Sequence, residues 1–282
     1  MHARPVSDLR FDERVALVTG AGSGRGQHQA LALAERGAMV VVNDVHAARA
    51  ARVAKQIEDR GGTAMPNSDG VDTPEAGQAI VDAVLEGFGG LDIVVHRVEG
   101  SNDPTSGAVV LSDADPVALL AGMYGGYWLA RAAWVHMRQR HYGRIIFDCS
   151  LDGSIADALD GGNTVTGMGL VGLMNILKVE GPEHNLKVNM VVPTTTADSA
   201  AVGAVVAYLA HQACTPTGEL FTVSTDGLAR MFIGVTEGYF VPDLTAEIVR
   251  DRLEEFLDPD GFFVPDEASG EITILKRDLN LL

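Results

Sequence analysis

VALVTGAGSGRG, residues 15–26, is a short apolar run that breaks into glycines. Read outward, VALVTG (15–20) is a buried strand, and a helical pattern from Gln27 to Arg36 follows, closed by Gly37. A second apolar strand, MVVVND (39–44), comes directly after. Strand, glycine turn, helix and parallel strand form one right-handed crossover unit.

The rest of the chain repeats this rhythm. Helix 46–59 stops at Gly61-Gly62, and TAMPNSD (63–69) is a third strand. A helix over 74–87 precedes LDIVV (91–95), and a helix over about 115–138 precedes GRIIFDCS (143–150). An apolar helix at 164–180 leads to LKVNMVV (186–192), and a helix at 199–211 leads to ELFTVS (219–224). Alternation of this kind predicts an α/β fold, a Rossmann-like doubly wound sheet of seven parallel strands with helices on both faces. The strands are apolar throughout, as burial on both faces requires. The rhythm ends near residue 235. LTAEIVRDRLEEFL (244–257) reads as an amphipathic helix, and GFFVPDEASGEITIL (261–275) as a hairpin turning at 266–270. We therefore expect one domain over 1–235 and a C-terminal extension over 236–282.

Charge narrows the function classes. The 282 residues carry 21 Lys and Arg against 38 Asp and Glu, a formal charge of −17. So acidic a chain has no electrostatic footprint for nucleic acid or an anionic membrane. No stretch approaches the roughly 20 apolar residues of a membrane span. Two cysteines, Cys149 and Cys214, are too few for a disulfide framework or a cysteine-rich zinc site. Residues 1–14 are polar, without a signal peptide's apolar core, so a cytoplasmic setting is expected.

The glycine turn has the chemistry of a phosphate cradle. Thr19, Gly20, Ser23, Gly24, Arg25 and Gly26 span the strand-to-helix junction, where backbone can approach a pyrophosphate and helix N–H groups can face its charge. Asp44 ends the second strand, 18 residues past Gly26. A carboxylate there can hold ribose hydroxyls and repels a 2′-phosphate, favouring NAD over NADP. Asp69, ending the third strand, is placed to meet an adenine amino group. The plainer alternative is a tight turn beside a solvated aspartate.

TGAGSGRG (19–26), ERGAMVVVND, LDIVV, RAAWVHM, YGRII and GLVGLMNILKVEG together resemble the short-chain dehydrogenase/reductase family. The similarity is greatest to the (3R)-hydroxyacyl-CoA dehydrogenase domain of D-bifunctional, or multifunctional type 2, enzymes, and it covers roughly residues 10–235. It implies an oligomeric, NAD-binding oxidoreductase of 3-hydroxyacyl thioesters, and it adds Val71 to the cofactor contacts. It also implies four catalytic groups: a Tyr that moves the substrate proton, a Lys four residues later, a Ser thirteen residues before the Tyr, and an Asn on the preceding helix. The Lys is needed because an unperturbed Tyr titrates at about 10 and must be pulled down to act as a base.

Carried onto this chain, the Ser is Ser150, the Tyr position is Asn163, the Lys position is Gly167 and the Asn position is Gly122. YGRII (142–146) and GLVGL (169–173) hold that register from both sides, and no Tyr, Lys, Arg or His lies between 150 and 177. Only Ser150 of the four survives. Two other segments depart from the family pattern. NNAG after the fourth strand is His96-Arg97-Val98-Glu99, which puts bulk where the cofactor passes. The segment after Pro193 runs directly into a helix, where relatives carry a longer loop and helix over the substrate.

Several residues have two readings. His96 and Arg97 bind a new ligand or pair with a neighbouring acid. Tyr124 and Tyr127 are substitute acids or, more simply, core or groove packing. Asp148, Asp152, Asp157 and Asp160 are more simply solvated charge than a metal site, and Cys149 a small buried apolar residue. Phe232, Tyr239, Phe240, Phe262 and Phe263 cover the core or contact a subunit. These features favour a non-catalytic subunit that pairs with an active short-chain dehydrogenase paralogue. An active NAD-dependent oxidoreductase with a relocated base and an NAD-binding sensor are the alternatives. A homo- or hetero-oligomer without nucleic-acid or membrane partners is expected.

Overall fold

The computed structural model describes residues 9–98, 116–149, 161–194, 196–236, 241, 243–257 and 261–264. The chain divides into two compact units, Met1–Arg230 and Met231–Leu282.

The first unit alternates strand and helix: β1 (Val15–Val18), α1 (Gly24–Ala34), β2 (Met39–Asn43), α2 (Ala47–Asp59), β3 (Thr63–Asn67), α3 (Pro74–Phe88), β4 (Ile93–Arg97), α4 (Pro116–Arg140), β5 (Gly143–Asp148), α5 (Gly161–Glu180), β6 (Leu186–Pro193), α6 (Ser199–Ala210), β7 (Leu220–Val223) and β8 (Leu228–Met231). The sheet order is β3-β2-β1-β4-β5-β6-β7-β8. Neighbours from β3 through to β7 pair in parallel. The sheet has eight strands where the apolar pattern predicts seven. Leu228 to Arg230 are exposed, so β8 has no apolar run by which to be recognised. It forms because Ser224 N–H bonds the Gly227 carbonyl and turns the chain back.

Packing follows from the strand faces. Val18, Val42, Val95, Ile146 and Val191 point to one side and meet α1, α2 and α6 in one core. The other face carries α4 and α5, which pack on each other, with α3 against α4. Local chemistry marks the helix ends. Thr73 accepts from the Ala76 N–H before α3, which ends at left-handed Gly89, φ 73°. Asp198 accepts from the Ala201 N–H before α6. Strand order reverses at β1, between β2 and β4, and this opens a crevice at the strands' C-terminal ends.

The second unit differs in detail from the expected single helix over 244–257. Arg252 leaves helical geometry at φ −119°, ψ 18°, and splits it into α7 (Ala246–Asp251) and α8 (Leu253–Phe256). Phe263 pairs antiparallel with Val235, and Phe232 stacks on Phe262 at 5.3 Å. The expected turn at 266–270 lies outside the described residues.

Ile146 is buried in the central strand between β4 and β6. Truncation there leaves a cavity that close-packed neighbours fill poorly. Ile146→Ala is expected to lower unfolding free energy by about 2–5 kcal/mol. Urea titration reads this as a lower midpoint at an unchanged slope.

Candidate functional site

A cavity of about 380 Å³ opens at the crevice where strand order reverses. Thr19 and Gly20 enter from β1, Asn43 and Asp44 from β2, and Asp69 to Asp72 follow β3. His96, Arg97 and Val98 come from β4, and Ala121 and Gly122 from α4. Of the residues expected at a cofactor, Thr19, Gly20, Asp44, Asp69 and Val71 line this cavity, while Ser23, Gly24, Arg25 and Gly26 do not.

The glycine turn is built around Asp44. This carboxylate is buried; Oδ2 accepts from Gly22 N–H at 3.0 Å and Oδ1 from His46 N–H at 2.9 Å. A side chain at Gly22 would stand 2.4 Å from Asp44 Oδ2, and one at Gly26 would stand 2.1 Å from the Gly20 carbonyl. These glycines are required by close approach of backbone and carboxylate. Gly20 and Gly24 add positive φ, 60° and 55°. Ser23 precedes α1 without a side-chain capping bond, which leaves the first-turn N–H groups to another acceptor. The turn and Asp44 thus fit the phosphate and ribose of a dinucleotide. Asp69 is exposed at the rim, its backbone carbonyl held by Asn43 Nδ2 at 2.9 Å.

At the other end the cavity meets His96, which is fully enclosed. Its Nε2 lies 3.0 Å from the Gly122 carbonyl and so carries the proton. Its Nδ1 accepts from the Thr19 hydroxyl at 3.0 Å, and that hydroxyl oxygen accepts from Arg97 N–H at 3.1 Å. Burial pushes the imidazole down to about 4, so it is neutral near pH 7. A side chain at Gly125 would stand 3.2 Å from the ring, as would one at Gly126. Three glycines of α4 therefore make the seat for His96.

Gly122 has a further neighbour. A side chain there would stand 2.7 Å from Val98 Cγ1 and 3.1 Å from the Thr166 methyl. The room for a larger residue at 122 is taken by Val98 and Thr166. Asn163 and Gly167 both fall in α5. Ser150, Glu99, Asp152, Asp157, Asp160, Tyr239 and Phe240 lie outside the described residues.

Arg25 and Asp148 meet on the α1 side of the sheet. Asp148 is wholly buried; its Oδ2 accepts from Gln29 Nε2 at 2.5 Å and lies 3.8 Å from Arg25 Nε. Burial pushes its carboxyl up, against the pull of Arg25, Gln29 and Arg97. Arg25 is thus turned toward a carboxylate, and Asp148 is not the solvated charge expected of it. Tyr124 and Tyr127, expected to pack in the core or a groove, lie outside the core at 37% and 42% exposure on α4, and the Tyr127 ring packs edge-on against Trp128 at 4.7 Å. Cys149 is buried, as its apolar character predicts.

The sequence reading missed Asn43, Val45 and Asp72 as cavity residues, and it missed the seat for His96. One signal was present: the glycine-rich GMYGG at 122–126 lies inside a helix, where glycine costs about 1 kcal/mol against alanine.

The sequence pattern of the short chain dehydrogenase family matches residues 14–207. This chain belongs to that family. It is 32% identical to peroxisomal multifunctional enzyme A of Dictyostelium discoideum, over 96% of this chain and 66% of that protein. It is also 32% identical to peroxisomal multifunctional enzyme type 2 of Mus musculus, over 89% of this chain and 38% of that protein. The chain spans less than two thirds of either relative. The structure of full-length peroxisomal multifunctional enzyme type 2 from Drosophila melanogaster superposes with a TM-score of 0.81 at 25% identity, over 97% of this chain and 50% of that one. A 7α-hydroxysteroid dehydrogenase complexed with NADH shares the fold, with a TM-score of 0.70 over 80% of this chain and 98% of that one, at 21% identity.

His96 gives the site a pH signature. Its folded value of about 4 lies below the ordinary 6.5, so the unfolded chain takes up the proton first. The stability due to neutral His96 is complete above about pH 6.5 and is lost as pH falls toward 4, by about 3 kcal/mol at most. Chemical denaturation of the native chain and His96→Gln across this window checks it. The variant is expected to lose less stability on acidification.

Proposed function

We propose that this protein is a short-chain dehydrogenase subunit that keeps the adenosine end of an NAD-type site and lacks the proton-transfer pair. It acts by pairing with an active NAD-dependent dehydrogenase of the hydroxyacyl-CoA type. The observation that carries this reading is the filled space at Gly122, where Val98 and Thr166 occupy the room a relay side chain needs. With Asn163 and Gly167 at the Tyr and Lys positions implied by the family, a substrate hydroxyl meets no phenol and no neighbouring ammonium. An amide does not ionise near neutrality, and glycine offers no side chain.

The cofactor end supports NAD over NADP. Asp44 lines the cavity as a buried carboxylate and repels a 2′-phosphate. When bound, such a dinucleotide supplies hydride transfer; this chain's residues hold it and supply no base at 163 or 167. Pairing has support on α4 and α5, where Val135, Ile176 and Val179 are each more than 60% exposed.

A second reading has one observation in its favour. Asp148 is a wholly buried carboxyl, raised above the ordinary aspartate range by burial, two residues before Ser150. That is the active oxidoreductase with a relocated base, acting on a 3-hydroxyacyl thioester or similar alcohol.

Native mass spectrometry of the gently purified protein, with a turnover assay on 3-hydroxyacyl-CoA and NAD, separates the two. A hetero-oligomer with an intact dehydrogenase subunit is expected, with turnover of the isolated chain about 10²–10⁴-fold below that of the partner. A homo-oligomer whose turnover disappears in Ser150→Ala overturns the subunit reading. Asp44→Ala is expected to abolish any retained dinucleotide.

A further inference from the structure

The outer faces of α4 and α5 carry matching stripes. Tyr124, Tyr127, Arg131, Val135 and Arg138 are exposed on α4. Val165, Met168, Gly172, Ile176 and Val179 are exposed on α5. Each set follows the three-and-four spacing of one helix face. The two helices pack on each other, with Gly169 against Met123. A side chain at Gly172 would meet no atom within 4 Å, so the face is open at its middle. Apolar surface gathered in this way marks a place where another molecule docks.

Charge says what kind of molecule. α4 has three arginines and no Asp or Glu, in a chain that holds 38 acids against 21 bases. α5 is uncharged from Gly161 to Leu177, and Lys178 and Glu180 offset each other in its last turn. Among the described residues no ion pair uses Arg131 or Arg138. Arg131 lies 5.7 Å over the Trp128 ring, a contact that holds the guanidinium and leaves its charge. Asp115 and Asp160 immediately precede the two helices in sequence. Arg131 and Arg138 stand farther on, about 22 and 33 Å along the axis from Pro116.

A second copy of this chain fits the face poorly. In a two-fold pair one patch meets itself, so each arginine faces a stripe that holds arginines and no carboxylate. Like charge set against like charge turns a partner away. An apolar helix face that carries carboxylates meets the same stripe with attraction.

We propose that the α4–α5 face docks a different polypeptide, one that presents an apolar helix face with carboxylates opposite Arg131 and Arg138. The proposal rests on the pairing reading made above and adds the chemistry of the partner's surface. Arg131 and Arg138 choose the partner and take no part in the nucleotide cavity.

The full chain carrying both Arg131→Glu and Arg138→Glu presents such a surface and serves as the probe. Sedimentation of the native chain, the probe and their mixture, with one chain fluorescently labelled, tests the proposal. The mixed pair is expected to have a Kd at least about tenfold below that of either self-pair. Added salt is expected to weaken the mixed pair and to narrow that difference. A chain with Arg131→Lys and Arg138→Lys keeps the charge and is expected to bind the probe within about fivefold of the native chain. A mixed pair no tighter than the self-pairs overturns the proposal.

The complex purified from the protein's own host separates this proposal from the reading beneath it. A partner other than a dehydrogenase, lost on the double replacement by Glu, supports the proposal and overturns the partner named above. A dehydrogenase partner retained undiminished on that replacement overturns the proposal and leaves the earlier reading standing.

Discussion

The site depends on how one buried imidazole is held. His96 on β4 joins two other elements: its ring meets the Thr19 hydroxyl at the end of β1, which in turn accepts from the Arg97 N–H, and the Gly122 carbonyl on α4. A buried ring nitrogen without a partner costs free energy, and here both are satisfied by the neutral form. That arrangement brings α4 close enough that Gly122, Gly125 and Gly126 have no room for side chains. Helix-interior glycine is unfavourable against alanine, so three in five residues make sense only where backbone must approach something large.

The residues that depart from the family pattern therefore belong to one packing solution. Val98 and Gly122 are complementary, one filling what the other vacates, with Thr166 closing the same space. Arg25 and Asp148 are complementary in charge, one on the first turn of α1 and the other at the end of β5. A buried carboxylate beside a guanidinium and an amide donor is tolerable where an isolated one is not. Decay of an active site leaves holes and unpaired charges. These positions show a filled space and a paired charge.

Much of the fold was legible in residues 15–44. An apolar run, a glycine turn and a second apolar run admit few arrangements, because parallel strands need a crossover and crossovers are right-handed. Asp44 and the glycines were legible as a tight turn beside a carboxylate for the same local reason. Other features were not legible. β8 is exposed and carries no period. The break at Arg252 is a change in backbone angles that an amphipathic pattern does not record. Gly122 reads in sequence as a lost side chain, and nothing nearby in the chain says that Val98 fills its place.

The sequence by itself determined the doubly wound sheet, the glycine turn with its carboxylate, and the absence of a tyrosine, lysine, arginine or histidine between 150 and 177. These follow from periodicity and residue chemistry, which are local. Only the tertiary structure decided which side chains share a space: His96 with Thr19 and α4, Val98 with Gly122, Arg25 with Asp148. Those pairs lie 24 to 123 residues apart. Steric exclusion and charge pairing act over a few ångströms, so they are set by how the layers pack and not by order along the chain.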